Sequence, residues 1–488
     1  MKGGRFNQDV ESGSVTERRA WRVLWAGGLI MKASTATTLV ATQSPEERRK
    51  IGVKLRHATL RSAHADWRPP ADRPDPVAIL VEQDRTRIPA LLPLRHARMK
   101  ADPFAFLRGA AAIMARDLAG TPATGYRVQS GGDAHLANFG AYASPEGEPV
   151  FDINDFDEST PAPFEWDVKR LAASLVVSGR VEHYSTKAAR DLARLAVHAY
   201  REHMAVLAPL APMAVWNSRI DLRGAVASVE PARARAAVDK RLARALGSAR
   251  DHFGLVGRKT GSLRIPDNPP MVYRLSDHEL PARAAFASYA ETLQEDRQVL
   301  LRRYALRDVA FKAVGVGSVG TFCAIALLES GDGSPLLLQI KQAEESVLAP
   351  FAGPCIHTNP GERVVVGQRM MQAVSDILLG WTRAPIGGRY FYVRQVKDPQ
   401  LADLGDRLEA ALPFYAALCG RTLARAHARA GDPALISGYL GKGAAFDEAV
   451  ADFAVAYADQ TEADWRTFKA AIKAGRMVVG NRDGRRVD

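Results

Sequence analysis

Apolar positions change period twice along this chain, from helical spacing to strand spacing near residue 308 and back again beyond residue 343. Residues 46–65 are charged and helical in pattern, and the proline-rich WRPPADRPDP that follows cannot continue a helix. From Pro103 to Gly120 apolar residues recur at helical spacing with Gly120 as the stop, and TPATG then turns the chain into a short strand, YRVQS. EPVFDIND predicts another strand. WDVKRLAASLVVSGR resumes a helix with Val168, Leu171, Ala172 and Leu175 on its apolar face. From about 180 to 300 the pattern is mostly helical and rich in Ala and Arg, with a loop around GRKTGSLRIPDNPP. DVAFKAVGVGSVGTFCAIALLES, a GDGSP turn and PLLLQIKQA predict a hairpin of two or three strands between Asp308 and Ala343. Helical patterning returns in RVVVGQRMMQAVSDILLGW, a strand follows in YFYVRQVK, and the rest is helical until a basic tail beyond Lys473. No internal repeat is visible.

This patterning predicts an α+β fold. Its expected divisions are a flexible extension over 1–45, a helix-rich large lobe over 46–300, a smaller lobe with strands over 301–400, C-terminal helices over 401–475 packing on the large lobe, and a basic tail over 476–488. With 488 residues, 47% of them hydrophobic, the chain can bury a substantial core in two or three lobes. A formal charge of +12 favours anionic partners such as nucleotides, but an Arg-rich composition alone does not make nucleic acid an expected partner. Three well-separated cysteines, Cys323, Cys355 and Cys419, give neither a disulfide framework nor a zinc spacing, which fits a reducing cytoplasm. The apolar run Val23–Met31 follows Arg18, Arg19 and Arg22 but falls short of the roughly 20 residues that span a bilayer, so no membrane partner is expected. Met31 is an alternative start.

The chemistry gathers between Gly131 and Lys169, where GGDAHLANFG, FDINDFDES and PFEWDVK set two clusters of acids and amides 22 positions apart, Asp133 to Asp155. A loop, a strand and a second loop would bring them face to face. Carboxylates so gathered repel one another unless a cation or a proton intervenes, which points to a divalent metal or an acid/base pair. Phosphoryl transfer needs a base, metal-binding oxygens, a backbone cradle for phosphates and a cation. Asp133 is the candidate base; Asn138 and Asp155 are candidate metal ligands, with Asp157 a second ligand or a water anchor. GVGSVGT, with Gly315, Gly317, Ser318 and Gly320, lies between two strand-like segments, which suits a hairpin covering phosphates and not a dinucleotide fingerprint. Lys341 follows on the next strand and could reach the α- and β-phosphates. His135 reads as a metal ligand, a catalytic base or a hydrogen-bonded brace of its loop. The plainer readings are turn-forming for the acids, an orienting role for Asp167, core for Trp166, and solvated faces or phosphate contacts for Arg108, Gln368 and Arg369.

DPFAFLRGAAAIMARDLA, GDAHLANFG, FDINDFDES, PFEWDVKRLAAS, RVVVGQRMMQ, DILLGW, YFYVRQVKD and YADQTEADW together resemble the bacterial domain-of-unknown-function family DUF2252 over roughly residues 46 to 470. A more distant resemblance bears on function. Asp133-Ala-His135-Leu-Ala-Asn138 is similar to the D-x-H-x-x-N catalytic loop of aminoglycoside phosphotransferases and other protein-kinase-like enzymes, and Ile153-Asn154-Asp155-Phe156 to their metal-binding I-D-F/W segment with one residue inserted. That likeness implies Asp133 as base, Asn138 and Asp155 on Mg2+, and ATP as the nucleotide. In such enzymes the glycine-rich hairpin and its lysine precede the catalytic loop; here they follow it by about 180 residues, so the likeness implies a circularly permuted kinase-like fold with the nucleotide-binding lobe in 301–400. The implied activity is an ATP- and Mg2+-dependent phosphotransferase acting on an unknown small-molecule or protein hydroxyl. A nucleotide-binding pseudokinase and a nucleotidyltransferase are the alternatives, and a metallophosphoesterase lacks its G-N-H-D/E motif. Glu345 and Glu362 are the candidates for the glutamate that would pair with Lys341.

Overall fold

The computed structural model describes residues 43–227, 254–259, 262–269, 272–274, 276–312, 317, 319–353, 355–396 and 411–480, with isolated helical positions at 232, 235–236 and 239–240. Most of the expected 1–45 extension and residues 481–488 of the tail lie outside it.

The first helix, α1 (Pro45–Ala58), opens with a capping box. Ser44 Oγ accepts from Glu47 N–H at 3.3 Å and the Glu47 carboxylate accepts from Ser44 N–H at 2.7 Å. The helix expected over 103–120 divides into α2 (Pro103–Gly109) and α3 (Ala111–Ala119), with Ala110 at φ −116°, ψ 32°. Carbonyls at the break are claimed from outside. Gly109 accepts from Arg95 Nη2 at 3.0 Å and Leu107 from Arg170 Nη2 at 2.7 Å. Strand β1 (Arg127–Ser130) pairs antiparallel with β4 (Thr160–Pro163), and between them β2 (Phe139–Ala143) and β3 (Pro149–Ile153) form a hairpin. One further backbone bond, Asn154 N–H to Asn138 O at 2.8 Å, extends that hairpin to its open end. The two acidic loops therefore begin and end side by side.

Helix α4 (Phe164–Val181) follows directly, and it is buried on nearly every side and not only on the face its periodicity predicts. It is enclosed by α5 (Thr186–Leu207) and by helices from the far end of the sequence. A short hairpin, β5 (Gly257–Lys259) and β6 (Ser262–Arg264), leads to a six-stranded antiparallel sheet of order β11-β12-β10-β9-β8-β7. Its members are β7 (Val272–Tyr273), β8 (Tyr304–Lys312), β9 (Cys323–Ser330), β10 (Pro335–Ala343), β11 (Gly380–Trp381) and β12 (Tyr390–Gln395). Strands β8, β9 and β10 form a meander, the three-strand version of the predicted hairpin. Helix α6 (Ser276–Ala290) packs Ala282, Ala285 and Tyr289 into the sheet's core with Phe311, Phe322, Ile340 and Phe391, so this helix associates with the sheet although the expected division lies at 300. Helix α7 (Pro360–Met371) comes between β10 and β11.

Helices α8 (Leu412–Ala430), α9 (Pro433–Leu440) and α10 (Ala445–Lys473) complete the larger core with α4 and α5. The architecture is thus α+β, as the patterning predicts, with the largest core in the helical body and apolar clusters on both faces of the sheet. Val364, Val365 and Met371 of α7 lie in the helical core, which seats the sheet on the helical body. Among the described residues, no helix is long and apolar enough to cross a membrane.

Candidate active site

The loop that carries Asp133 hangs from one face of α4. Asp167, Arg170 and Ser174 stand at helical spacing of three and four, so their side chains point the same way. Asp167 accepts from the backbone N–H groups of Gly131 at 2.7 Å and Gly132 at 3.0 Å. His427 Nε2–H donates to the same carboxylate at 3.1 Å, and His427 Nδ1 stands 2.9 Å from Tyr200 OH, so the ring is held at both nitrogens. Ser174 Oγ accepts from Leu136 N–H at 2.9 Å. Gly132 sits at φ +78°, and a Cβ there would lie 2.2 Å from Glu158 O, so only glycine fits where the two acidic loops touch. The orienting role read for Asp167 has this hydrogen-bond network behind it.

Asp133 Oδ1 accepts from Arg170 Nε at 2.8 Å and lies 2.7 Å from Nη2 of the same guanidinium, an ion pair. Burial raises the pKa of Asp133 above the ordinary aspartate value while Arg170 pulls the other way, and burial prevails. Asn138 Nδ2 donates to Asp133 O at 2.7 Å, closing the loop on itself. His135 is not a hydrogen-bonded brace: its Nδ1 is buried without a partner, its Nε2 is 3.7 Å from Asp133 Oδ2, and its ring meets Phe104 edge-on at 6.3 Å. Burial, reinforced by Arg108 and Arg170, drives its pKa well below the usual histidine value and leaves it neutral.

The second loop, 154–159, is held from the sheet side. Lys341 Nζ stands 3.3 Å from Asp155 Oδ2 and also pairs with Asp157. Tyr392, directly across from Lys341 in the β10–β12 register, donates its hydroxyl to Asp157 Oδ1 at 2.8 Å. Arg394 reaches Asn154 O at 2.9 Å, and Arg363 on α7 donates to the carbonyls of Asp157, Ser159 and Glu344 at 2.5–2.7 Å. Glu158 accepts from Val347 N–H at 2.7 Å. Burial works against charge on Asp155, and Lys341 and Arg394 outweigh it, so its pKa falls. Burial likewise opposes charge on Lys341, and Asp155 and Asp157 outweigh it, so its pKa rises well above the usual lysine value. Glu158 has no such compensation. Burial pushes it up to about 7 despite Arg363.

Asp133, His135, Asn138, Asp155, Asp157 and Lys341 thus occupy one site, where the helical body meets the sheet. Gly317 and Gly320 lie in the β8–β9 connection at its edge; Gly315 and Ser318 fall outside the described residues. The Gly320 carbonyl accepts from Ile88 N–H at 2.7 Å, and a Cβ on Gly317 would be 3.1 Å from Arg108 O. Neither candidate glutamate pairs with Lys341 among the described residues: Glu362 lies instead 3.7 Å from His357 Nδ1, and the lysine's carboxylates are Asp155 and Asp157. Among the described residues no three His, Cys, Asp or Glu side chains stand together as a metal cage.

Residues 87–471 match a family model described as an uncharacterized protein conserved in bacteria. The chain belongs to the DUF2252 family. No curated protein and no solved structure matches it. The match begins at residue 87, later than the motif resemblance starting near 46, so α1 precedes the DUF2252 region. Within that DUF2252 region, sequence reasoning passed over Arg170, Arg363, Tyr392, Arg394 and Glu158. Three of these carried a signal. Arg170 is three residues beyond Asp167 on one helix, and YFYVRQ alternates so that Tyr392 and Arg394 share a strand face.

Proposed function

We propose that this chain is an ATP- and Mg2+-dependent phosphotransferase of kinase-like type, with its sheet as a nucleotide-binding lobe and its catalytic loops on a helical lobe, in permuted order. The observation that carries the reading is the meeting of Lys341 and Asp155 at 3.3 Å across 186 positions of sequence. A lysine on the third strand of a meander, following a glycine-containing connection and facing an aspartate beyond an Asp…Asn loop, matches the parts list for phosphoryl transfer in kinases. Asp133 would take the proton of the acceptor hydroxyl as the new O–P bond forms and the bond to the leaving ADP oxygen breaks. Its raised pKa suits a general base, and Arg170 holds the carboxylate in place.

The donor set fits Mg2+. Asp155, Asp157 and Asn138 offer hard oxygens, and Mg2+ is ordinarily held by one or two carboxylates together with substrate phosphates and waters, so no complete protein cage is required. When bound, the ion would neutralise charge developing on the phosphate oxygens. A nucleotide-binding pseudokinase is the second reading, favoured by one observation: Lys341 pairs with the two loop aspartates and not with a glutamate of α7.

Calorimetric titration with ATP and Mg2+ tests the site. Saturable, Mg2+-dependent binding by the wild type that disappears in Asp155→Ala is expected, whereas a folded wild type that binds no nucleotide would overturn both readings. A hydroxyl-acceptor screen with Asp133→Ala as control then separates enzyme from pseudokinase.

A further inference from the structure

One cation at the site has no role in the network above. Arg108, near the C-terminal end of α2, has a buried Nε with no hydrogen-bond partner, and among the described residues no carboxylate pairs with its guanidinium. Every other arginine in contact with the two loops is spent on protein groups: Arg170 on Asp133 and Leu107 O, Arg363 on three carbonyls, Arg394 on Asn154 O and Gln339. A half-buried guanidinium left without an anion is costly to maintain for packing alone.

Its position is constrained. The guanidinium carbon lies 5.8 Å from the centre of the Phe104 ring, and the same ring meets His135 at 6.3 Å. Arg108 therefore stands beside the Asp133 loop, close enough to act on both Asp133 and His135 electrostatically. Gly317 comes close to the same turn of α2, where a Cβ on it would meet the Arg108 backbone carbonyl at 3.1 Å. Lys341, the cation on the sheet side, is paired with Asp155 and Asp157.

We propose that Arg108 binds the terminal phosphoryl group of a nucleoside triphosphate beside Asp133, and so makes the site selective for triphosphate over diphosphate. The proposal rests on the phosphotransferase reading. A guanidinium presents a planar fork of donors that matches phosphate oxygens, and the Phe104 ring lies within cation–π range of it.

The test is calorimetric titration of wild type, Arg108→Ala, Arg108→Gln and Arg108→Lys with ATP–Mg2+ and, separately, ADP–Mg2+, each variant first checked for a wild-type circular dichroism spectrum and melting transition. Both Arg108→Ala and Arg108→Gln are expected to lose roughly tenfold or more in ATP affinity while ADP affinity stays within about twofold, and Arg108→Lys to recover part of the loss. Use of two truncating variants keeps the test open if one misfolds. An equal loss for ATP and ADP, or no loss for either, in folded protein overturns the assignment to the terminal phosphate and leaves the phosphotransferase reading standing. Failure of the wild type to bind either nucleotide overturns that reading and this one together.

Discussion

At the scale of single residues the acids of the site differ in how far their charge is answered. Lys341, Asp155 and Asp157 neutralise each other within a few ångströms, and Arg170 answers Asp133. Glu158 is different: burial lifts it from its ordinary 4.5 to about 7, so the folded chain holds a proton there that the unfolded chain releases. The sign follows from linkage. Between pH 4.5 and 7 the native state binds more protons at this residue than the unfolded state, so its contribution to stability falls as pH rises and the penalty is complete above about pH 7. Glu158→Gln keeps an oxygen to accept from Val347 N–H and removes the ionisation. The variant is expected to match the wild type near pH 4.5 and to be more stable at pH 8, by about 1–2 kcal/mol after allowance for solvent screening. Urea denaturation at the two pH values measures this; a stability difference that does not grow with pH would show that Glu158 is ionised in the fold at little cost.

At the scale of elements, the strands and loops of the site were legible in the sequence because their signals are local. Alternation marked β3 and β12, the change of period marked the β8–β9–β10 meander, and the acids of the two loops lay in plain view. The break at Ala110 was not legible, because it depends on Arg95 and Arg170 reaching carbonyls of α2 from other helices. Nor was the full burial of α4, which needs partners supplied from beyond residue 412. The place where α7 seats against the acidic loop was hidden for a similar reason. It depends on Gly367, which its sequence context marks only as a weak helix former. A Cβ there would lie 2.2 Å from Ser159 Oγ, and that hydroxyl accepts from Gln129 Nε2 and donates to Ser130 O, both at 2.7 Å. Gly367→Ala gains helix propensity yet forces this buried chain apart. The expected net result is a loss of about 2–4 kcal/mol on denaturant unfolding, because loop and helix separate. Stabilisation by the alanine, as propensity alone would give, would mean that α7 slides without disturbing the site.

At the scale of the whole molecule, a fully buried ion pair behind the site ties the β2–β3 hairpin to α8 and to the end of α7, the helix that seats the sheet. Asp152, on β3 just before the acidic loop, accepts from Arg425 Nη2 of α8 at 2.5 Å and from Ala373 N–H, beyond the end of α7, at 2.8 Å. Arg425 also donates to Met371 O at 3.0 Å, and its Nε and Nη1 have no partners. Three segments distant in sequence therefore converge on one carboxylate that no water reaches. Asp152→Ala leaves a buried guanidinium without a counter-charge, which costs about 3–5 kcal/mol, whereas removing both charges in Asp152→Ala/Arg425→Met costs much less than the sum of the single losses. Because the pair ties β3 to α8 and α7 at once, the single variant should lower the unfolding midpoint seen from Trp166 in the helical core and from Trp381 on β11 by the same amount. Those signals can be separated by retaining one tryptophan at a time against a background of Phe substitutions. Additive losses in the double variant would show that Asp152 and Arg425 act independently. Midpoints that part company at the two tryptophans would show that sheet and helical body unfold separately, and that the acidic loop alone holds the two halves of the site in register.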